Sequence, residues 1–214
     1  MSPRGEFVEL PVPEPPDVEA SDCAALCDVE SDSLEDASLE GVAVTGPIRS
    51  MTRCVLRGCD LRGGSLAGAR LRDVVLDRCD LSNLSLADAT LTRVVLTGCR
   101  GVGLDLAQVN ATSLDIQGSG LKLATLISAR LDRCRFAETD LAETDFDSAV
   151  LAGVIFRDCR LAGARFPRAR LSKINLRGSD LAGAMFEPGA LPSLTIEPTQ
   201  AVDLIQAMGV RIER

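Results

Sequence analysis

The chain has 214 residues, 23 of them Lys or Arg and 31 Asp or Glu, for a net charge of −8. It contains no His, Tyr or Trp and six Phe. The usual imidazole base is therefore missing, and an acidic chain poor in aromatics is ill suited to holding nucleic acid. No apolar run reaches the length of a membrane span. The expectation is one domain that is not an enzyme, needs no cofactor, and binds neither nucleic acid nor membrane directly.

Residues 1–20 hold five prolines and four Glu without an apolar core segment. They read as an acidic, Pro-rich leader, extended and mobile, and not as a secretory signal. The alternative is that Phe7, Val8 and Leu10 fold over the first coil. Residues 21–47 form a first acidic segment with apolar centres at Val29, Leu34, Leu39 and Val44. Cys27, Ala37 and Val42 stand two places before three of these centres. Val44 to Met51 is a step of seven, and Thr45-Gly46-Pro47 is a turn signal, so a small bulge is expected there.

From Met51 to Ile196 every fifth residue is apolar in one phase, as in Leu56, Leu61, Leu66, Leu71 and Leu76. Only Gly101 and Ala111 are not Leu, Ile, Phe or Met. A period of five belongs to neither a helix nor a strand and points to a solenoid. Two places before many of the centres stands a small residue, such as Cys59, Ala69, Cys79 or Ala89, often followed by Asp, as at Asp60, Asp80, Asp140 and Asp180. Residues of one type recur at twenty. Cys59, Cys79 and Cys99 fall in one column, Phe136 and Phe156 in a second, and Phe146, Phe166 and Phe186 in a third. One coil is therefore four repeats. Ala111 is compensated by the large Val109, whereas Gly101 leaves an underfilled corner that Leu104 and Leu106 are left to close.

The unit small–Asp–Leu–x–x, as in Cys79-Asp80-Leu81-Ser82-Asn83 and Thr139-Asp140-Leu141-Ala142-Glu143, resembles the pentapeptide-repeat family. The resemblance implies an all-β solenoid, a right-handed quadrilateral β-helix, over residues 48–197. The centre and the small residue point inward and the other three outward. At an inter-strand spacing of roughly 4.8 Å, thirty repeats make a tower about 35 Å tall.

Six of the eight cysteines, Cys54, Cys59, Cys79, Cys99, Cys134 and Cys159, occupy the inward small position, where a thiol serves as a small hydrophobe. Parallel side chains on stacked coils do not suit a disulfide torsion, so reduced thiols in a cytoplasmic protein are expected. With no His, and with Cys23 and Cys27 the only close pair, no metal site is expected.

Residues 198–214 depart from the repeat. Pro198-Thr199-Gln200 begins a helix with Thr199 as its cap, and Gly209 ends it. Ala201, Leu204, Ile205 and Met208 share one face; Val210 and Ile212 then alternate like a strand. A solenoid end must be covered or paired. The stretch from Gln200 to Val210 is similar to the C-terminal segment of the pentapeptide proteins that protect DNA gyrase. That resemblance implies a homodimer through Ala201, Leu204, Ile205, Met208 and Val210, about 70 Å long, or some twenty base pairs of duplex. The alternative is a monomeric cap with the same face turned inward.

The resemblance also implies a function: mimicking DNA to occupy DNA gyrase or another type II topoisomerase and protect it from inhibitors. Against this stands a scaffold or interaction module with another protein partner. Charge is uneven along the chain. Residues 1–50 carry twelve acids against Arg4 and Arg49, and residues 51–214 carry nineteen acids against twenty-one bases. Glu138, Asp140, Glu143, Asp145 and Asp147 make an acidic run, the candidate partner surface; Arg157, Arg160, Arg165, Arg168, Arg170, Lys173 and Arg177 make a basic one. The unbroken phase predicts a smooth rod without projecting loops.

Overall fold

A computed structural model describes residues 32–44 and 48–207. The leader, Cys23, Cys27, Val29, the turn at 45–47 and the C-terminal Met208, Gly209, Val210 and Ile212 lie outside the described residues.

The described chain is a right-handed quadrilateral β-helix of about eight turns with a short C-terminal helix. Short strands stack in parallel and in register at twenty residues, and this generates four faces. On face one, Met51 pairs with Leu71, then Leu91, Ala111, Leu131, Leu151 and Leu171 follow in order. On face two the ladder is Leu56, Leu76, Leu96, Ile116, Phe136 and Phe156. Face three carries the bridges Asp60–Asp80–Arg100–Gly120–Asp140–Arg160–Asp180, and face four Ser65–Ser85–Asp105–Thr125–Asp145–Arg165. The chain turns each corner at the second residue after the centre, which takes a left-handed φ. On faces three and four this closes a turn, with Gly64 N–H donating to Leu61 C=O at 3.1 Å around Gly63, and Leu84 N–H to Leu81 C=O at 3.0 Å around Asn83. Gly and Asn suit that position because left-handed backbone costs them least.

The column pattern packs as the sequence implies. Phe146, Phe166 and Phe186 stack with ring centroids 4.5 Å apart, and Phe136 and Phe156 at 4.9 Å. Phe146 meets Phe156 edge-on at 6.0 Å. All six inward cysteines are buried and free.

Two local expectations are corrected, and the first coil steps by fewer residues than those above it. Strands β1 (Ser33–Glu35) and β2 (Ser38–Glu40) pair with β3 (Ser50–Arg57) at an offset of 17, as in Leu34 with Met51 and Leu39 with Leu56. The corner at Gly101 is full. A Cβ there would lie 2.7 Å from Leu121 Cδ2 and 3.5 Å from Leu104 Cβ, so the coil above fills it along with Leu104. At the top, Pro188–Ser193 is a 3-10 helix where the period placed Leu191 as a regular centre. Pro188 and Pro192 lack the amide a strand ladder needs. The ladder resumes at Leu194–Thr195, which pairs with Ile174–Asn175.

Candidate functional site

Two features of this tower can meet a partner: the apolar C-terminal end and the distribution of charge over its faces.

At the end, a 3-10 turn (Pro198–Gln200) leads into helix α1 (Ala201–Ala207). The capping residue is Glu197, not Thr199: its N–H donates to Gln200 Oε1 at 2.7 Å. Gln200 is buried, and its Nε2 donates to Leu176 C=O at 2.7 Å and Ser179 C=O at 2.6 Å. Lower in the tower the equivalent carbonyls are satisfied by the next coil, as Thr139 C=O is by Arg160 N–H and Cys159 C=O by Asp180 N–H. One side-chain amide thus substitutes for the backbone of a missing coil. Of the expected dimer residues, Leu204 is buried in its own tower's core, whereas Ile205 is 41% exposed. Leu191, Leu194, Ile196, Ala201, Leu204 and Ile205 line an apolar hollow of about 210 Å³. Val202, 47% exposed, extends the apolar end.

The acidic and basic runs of the sequence lie one coil apart, and the twenty-residue register stacks them as partners. Arg165 Nη2 is 2.5 Å from Asp145 Oδ2, Arg160 Nη1 is 3.7 Å from Asp140 Oδ2, Lys122 Nζ is 3.0 Å from Glu143 Oε1, and Arg168 pairs with Asp147. Four of the five candidate acids are thus in ion pairs, and they spread over faces three and four; Glu138 lies on face two.

Charge divides across the tower rather than along it. Faces three and four together carry Asp60, Asp80, Asp88, Asp105, Asp140, Glu143, Asp145, Asp147, Asp180 and Glu187 against Arg62, Arg100, Lys122, Arg160, Arg165 and Arg168. Faces one and two carry thirteen bases against six acids between Met51 and Glu187. Among the described residues, Asp88, Asp105 and Glu187 on face four and Asp180 on face three have no basic side chain at ion-pair distance, so face four holds the larger share of the surplus acid. On this side the Arg62 side chain and its backbone amide hold the Asp60 carboxyl down to about 2, and Arg168 holds that of Asp147 below its usual range. Sequence reasoning missed the division because it read charge along the chain; the signal was there at a spacing of twenty.

Among the described residues, one charged side chain is buried in an outward column. Asp115 on face two is buried and receives Arg135 Nε at 2.9 Å and Nη2 at 2.6 Å, with Gln117 Nε2 at 3.0 Å. The bidentate pair locks the middle of that face. Nothing among the described residues assembles three or more metal-ligating side chains, and no described helix is long and apolar enough to cross a membrane.

No curated protein matches the chain. Among solved structures, a trypsin-treated variant of QnrB1, a plasmid-mediated fluoroquinolone resistance protein, is 16% identical, with 85% of this chain and 99% of that chain covered at a TM-score of 0.42. HetL, a pentapeptide repeat protein involved in heterocyst differentiation regulation in the cyanobacterium Nostoc sp. strain PCC 7120, is 22% identical, covering 71% and 84% at 0.31. A pentapeptide repeat protein of the Arabidopsis thaliana thylakoid lumen is 19% identical, covering 71% and 77% at 0.20. The family profile described as pentapeptide repeats matches residues 54–93, 119–158, 129–166 and 155–187, in 8 copies. With more than half of its length matched and its four-faced ladder continuous through those segments, the chain belongs to the pentapeptide-repeat family.

Proposed function

We propose that this protein is a non-enzymatic, cytoplasmic docking rod that sets its acidic side into the cationic, duplex-binding groove of a type II topoisomerase, DNA gyrase first among them, and protects it from inhibitors. The observation that carries the reading is the transverse division of charge. A groove that holds phosphates by Lys and Arg attracts any rod of duplex-like width whose exposed side is acidic. The partner surface is the side formed by faces three and four. It includes Asp140, Glu143, Asp145 and Asp147, with Glu138 at its border and the uncompensated Asp88 and Asp105 at its centre of charge. The resemblance of residues 200–210 to the gyrase-protecting proteins supports gyrase as the partner.

The same reading makes the C-terminal end a two-fold joint. An apolar hollow flanked by exposed Ile205 and Val202 is what a second copy would cover, and the pair would reach about 70 Å at strand spacing. Ala201, Leu204, Ile205, Met208 and Val210 are the residues proposed for it. Because Leu204 also holds its own cap, the separating variant is Ile205→Asp. It is expected to sediment as a monomer where the parent sediments as a dimer, and an unchanged mass removes the joint.

A second reading, a scaffold for another protein, is favoured by the basic faces one and two, which a duplex mimic does not require. The two differ in a displacement assay with fluorescent duplex bound to gyrase. Under the first, the protein displaces duplex, Asp88→Lys with Asp105→Lys abolishes displacement, and Arg70→Glu with Arg72→Glu leaves it intact. Displacement that is absent, or that fails only in the arginine variant, supports the second.

A further inference from the structure

Face one holds an uncompensated basic surface. Arg70, Arg72, Arg130, Arg170 and Lys173 are exposed, and among the described residues none has a carboxylate at ion-pair distance. The remaining bases of this face are already paired, Arg93 with Asp73, Arg133 with Asp132, and Arg53 with Glu35 and Asp36. Those last two partners are the acids through which the chain enters the tower. Asp32 likewise sits 3.2 Å from Arg49, and Ser33 takes its place on face one, beside Ser50. The acidic N-terminal part of the chain therefore arrives at the foot of the basic face and has begun to neutralise it. Residues 1–31 outside the described structure carry eight further acids against Arg4 alone.

We propose that the acidic segment 1–31 of this chain is the occupant of basic face one, bound along it by charge. Charge complementarity argues for this occupant over a second molecule. The surplus acids of the segment outnumber the five uncompensated bases, and covalent attachment at Ser33 gives the segment an effective concentration that a free acidic partner must overcome. Reach is ample. From Ser33 to Lys173 the register climbs through Ser50, Arg70, Thr90, Asn110, Arg130, Val150 and Arg170, about 34 Å at strand spacing. An extended chain covers that in about eleven residues, so every acid from Asp22 towards the N-terminus can reach the top of the face. The consequence is a rod whose basic face one is covered by its own chain, leaving the acidic faces three and four open to a partner.

The sequence supplies its own control, because Lys122 and Lys173 are its only lysines, one on face three and one on face one. A carbodiimide joins a carboxylate to an amine only where the two touch. The intact protein is treated at low salt, digested and mapped by mass spectrometry, with each lysine's yield normalised to its labelling by an amine-reactive ester. The expected result is amide links from residues 6–30 to Lys173, at least tenfold over Lys122 and within monomer-mass protein. They fall to background at 0.5 M salt and in the Arg70→Glu, Arg130→Glu variant, whose altered side chains are exposed and whose fold is checked by circular dichroism. Equal linkage to both lysines, no linkage to Lys173, persistence in the charge-reversed variant, or linkage found only in dimer-mass protein overturns the proposal; the last outcome would assign the face to a second copy's segment.

Discussion

Gln200→Met keeps the volume and length of the side chain and removes its hydrogen bonds, which makes it the sharpest probe of how the tower ends. Three bonds are lost: those to Leu176 C=O at 2.7 Å and Ser179 C=O at 2.6 Å, and the one from Glu197 N–H at 2.7 Å. Leu176 C=O keeps the Ser179 N–H at 3.1 Å, but among the described residues Ser179 C=O has no donor besides Gln200. A net value of about 1 kcal/mol per bond, with an added penalty for a buried orphan carbonyl, gives about 3 kcal/mol. A solenoid couples only nearest neighbours, so the loss stays in the cap and barely moves unfolding of the lower coils. The assay is hydrogen exchange by mass spectrometry. Amides of residues 188–207 should lose protection on the order of a hundredfold, while residues 70–130 keep theirs. Unchanged protection in the cap would refute the view that one side-chain amide substitutes for a missing coil. An equal loss throughout the tower would refute the nearest-neighbour reasoning.

Phe166→Ala removes the middle ring of the Phe146–Phe166–Phe186 stack and should cost about 3–5 kcal/mol, read as a drop in the denaturant midpoint. Gly101→Ala places a methyl 2.7 Å from Leu121 Cδ2 and should destabilise by about 1–3 kcal/mol, where an underfilled corner would have gained stability. Asp115→Ala removes a buried carboxylate with its bidentate bonds and should cost more than Asp132→Ala, which breaks an exposed pair, in the same denaturant titration. Burial pushes the thiols of Cys134 and Cys159 up, to about 12 and about 11. Folded thiols hold their protons while unfolded ones lose them near pH 8.5, so stability should be fully present below that pH and fall as pH rises towards 11 to 12. A denaturation series from pH 7 to 11 checks this, with slow alkylation of the native thiols at neutral pH as the companion measurement.

The fold was legible because its determinants are local and repeated. Leu71, Leu91 and Leu131 sit on one face for the reason that any centre does, and the Cys and Phe columns state the coil length directly. What escaped were the exceptions, each set by a neighbour distant in sequence. Gly101 reads as a gap until Leu121 is seen descending from the next coil. Leu191 reads as a centre, yet Pro188 and Pro192 deny the backbone its ladder. The step from Val44 to Met51 reads as two residues too many against a period of five, and as three too few against a coil of twenty. At the candidate site the chain order misled in the same way. Asp145 and Arg165 belong to runs of opposite sign, but they face each other at 2.5 Å. The helix pattern grouped Leu204 with Ile205, whereas the cap buries the first and exposes the second.

The most direct test of the functional account is DNA supercoiling by gyrase in the presence of a fluoroquinolone, with the protein titrated against the enzyme. The account predicts that supercoiling recovers as the protein is added, and that Asp88→Lys with Asp105→Lys removes the recovery while Arg70→Glu with Arg72→Glu preserves it. Supercoiling that stays inhibited at every protein concentration would contradict it.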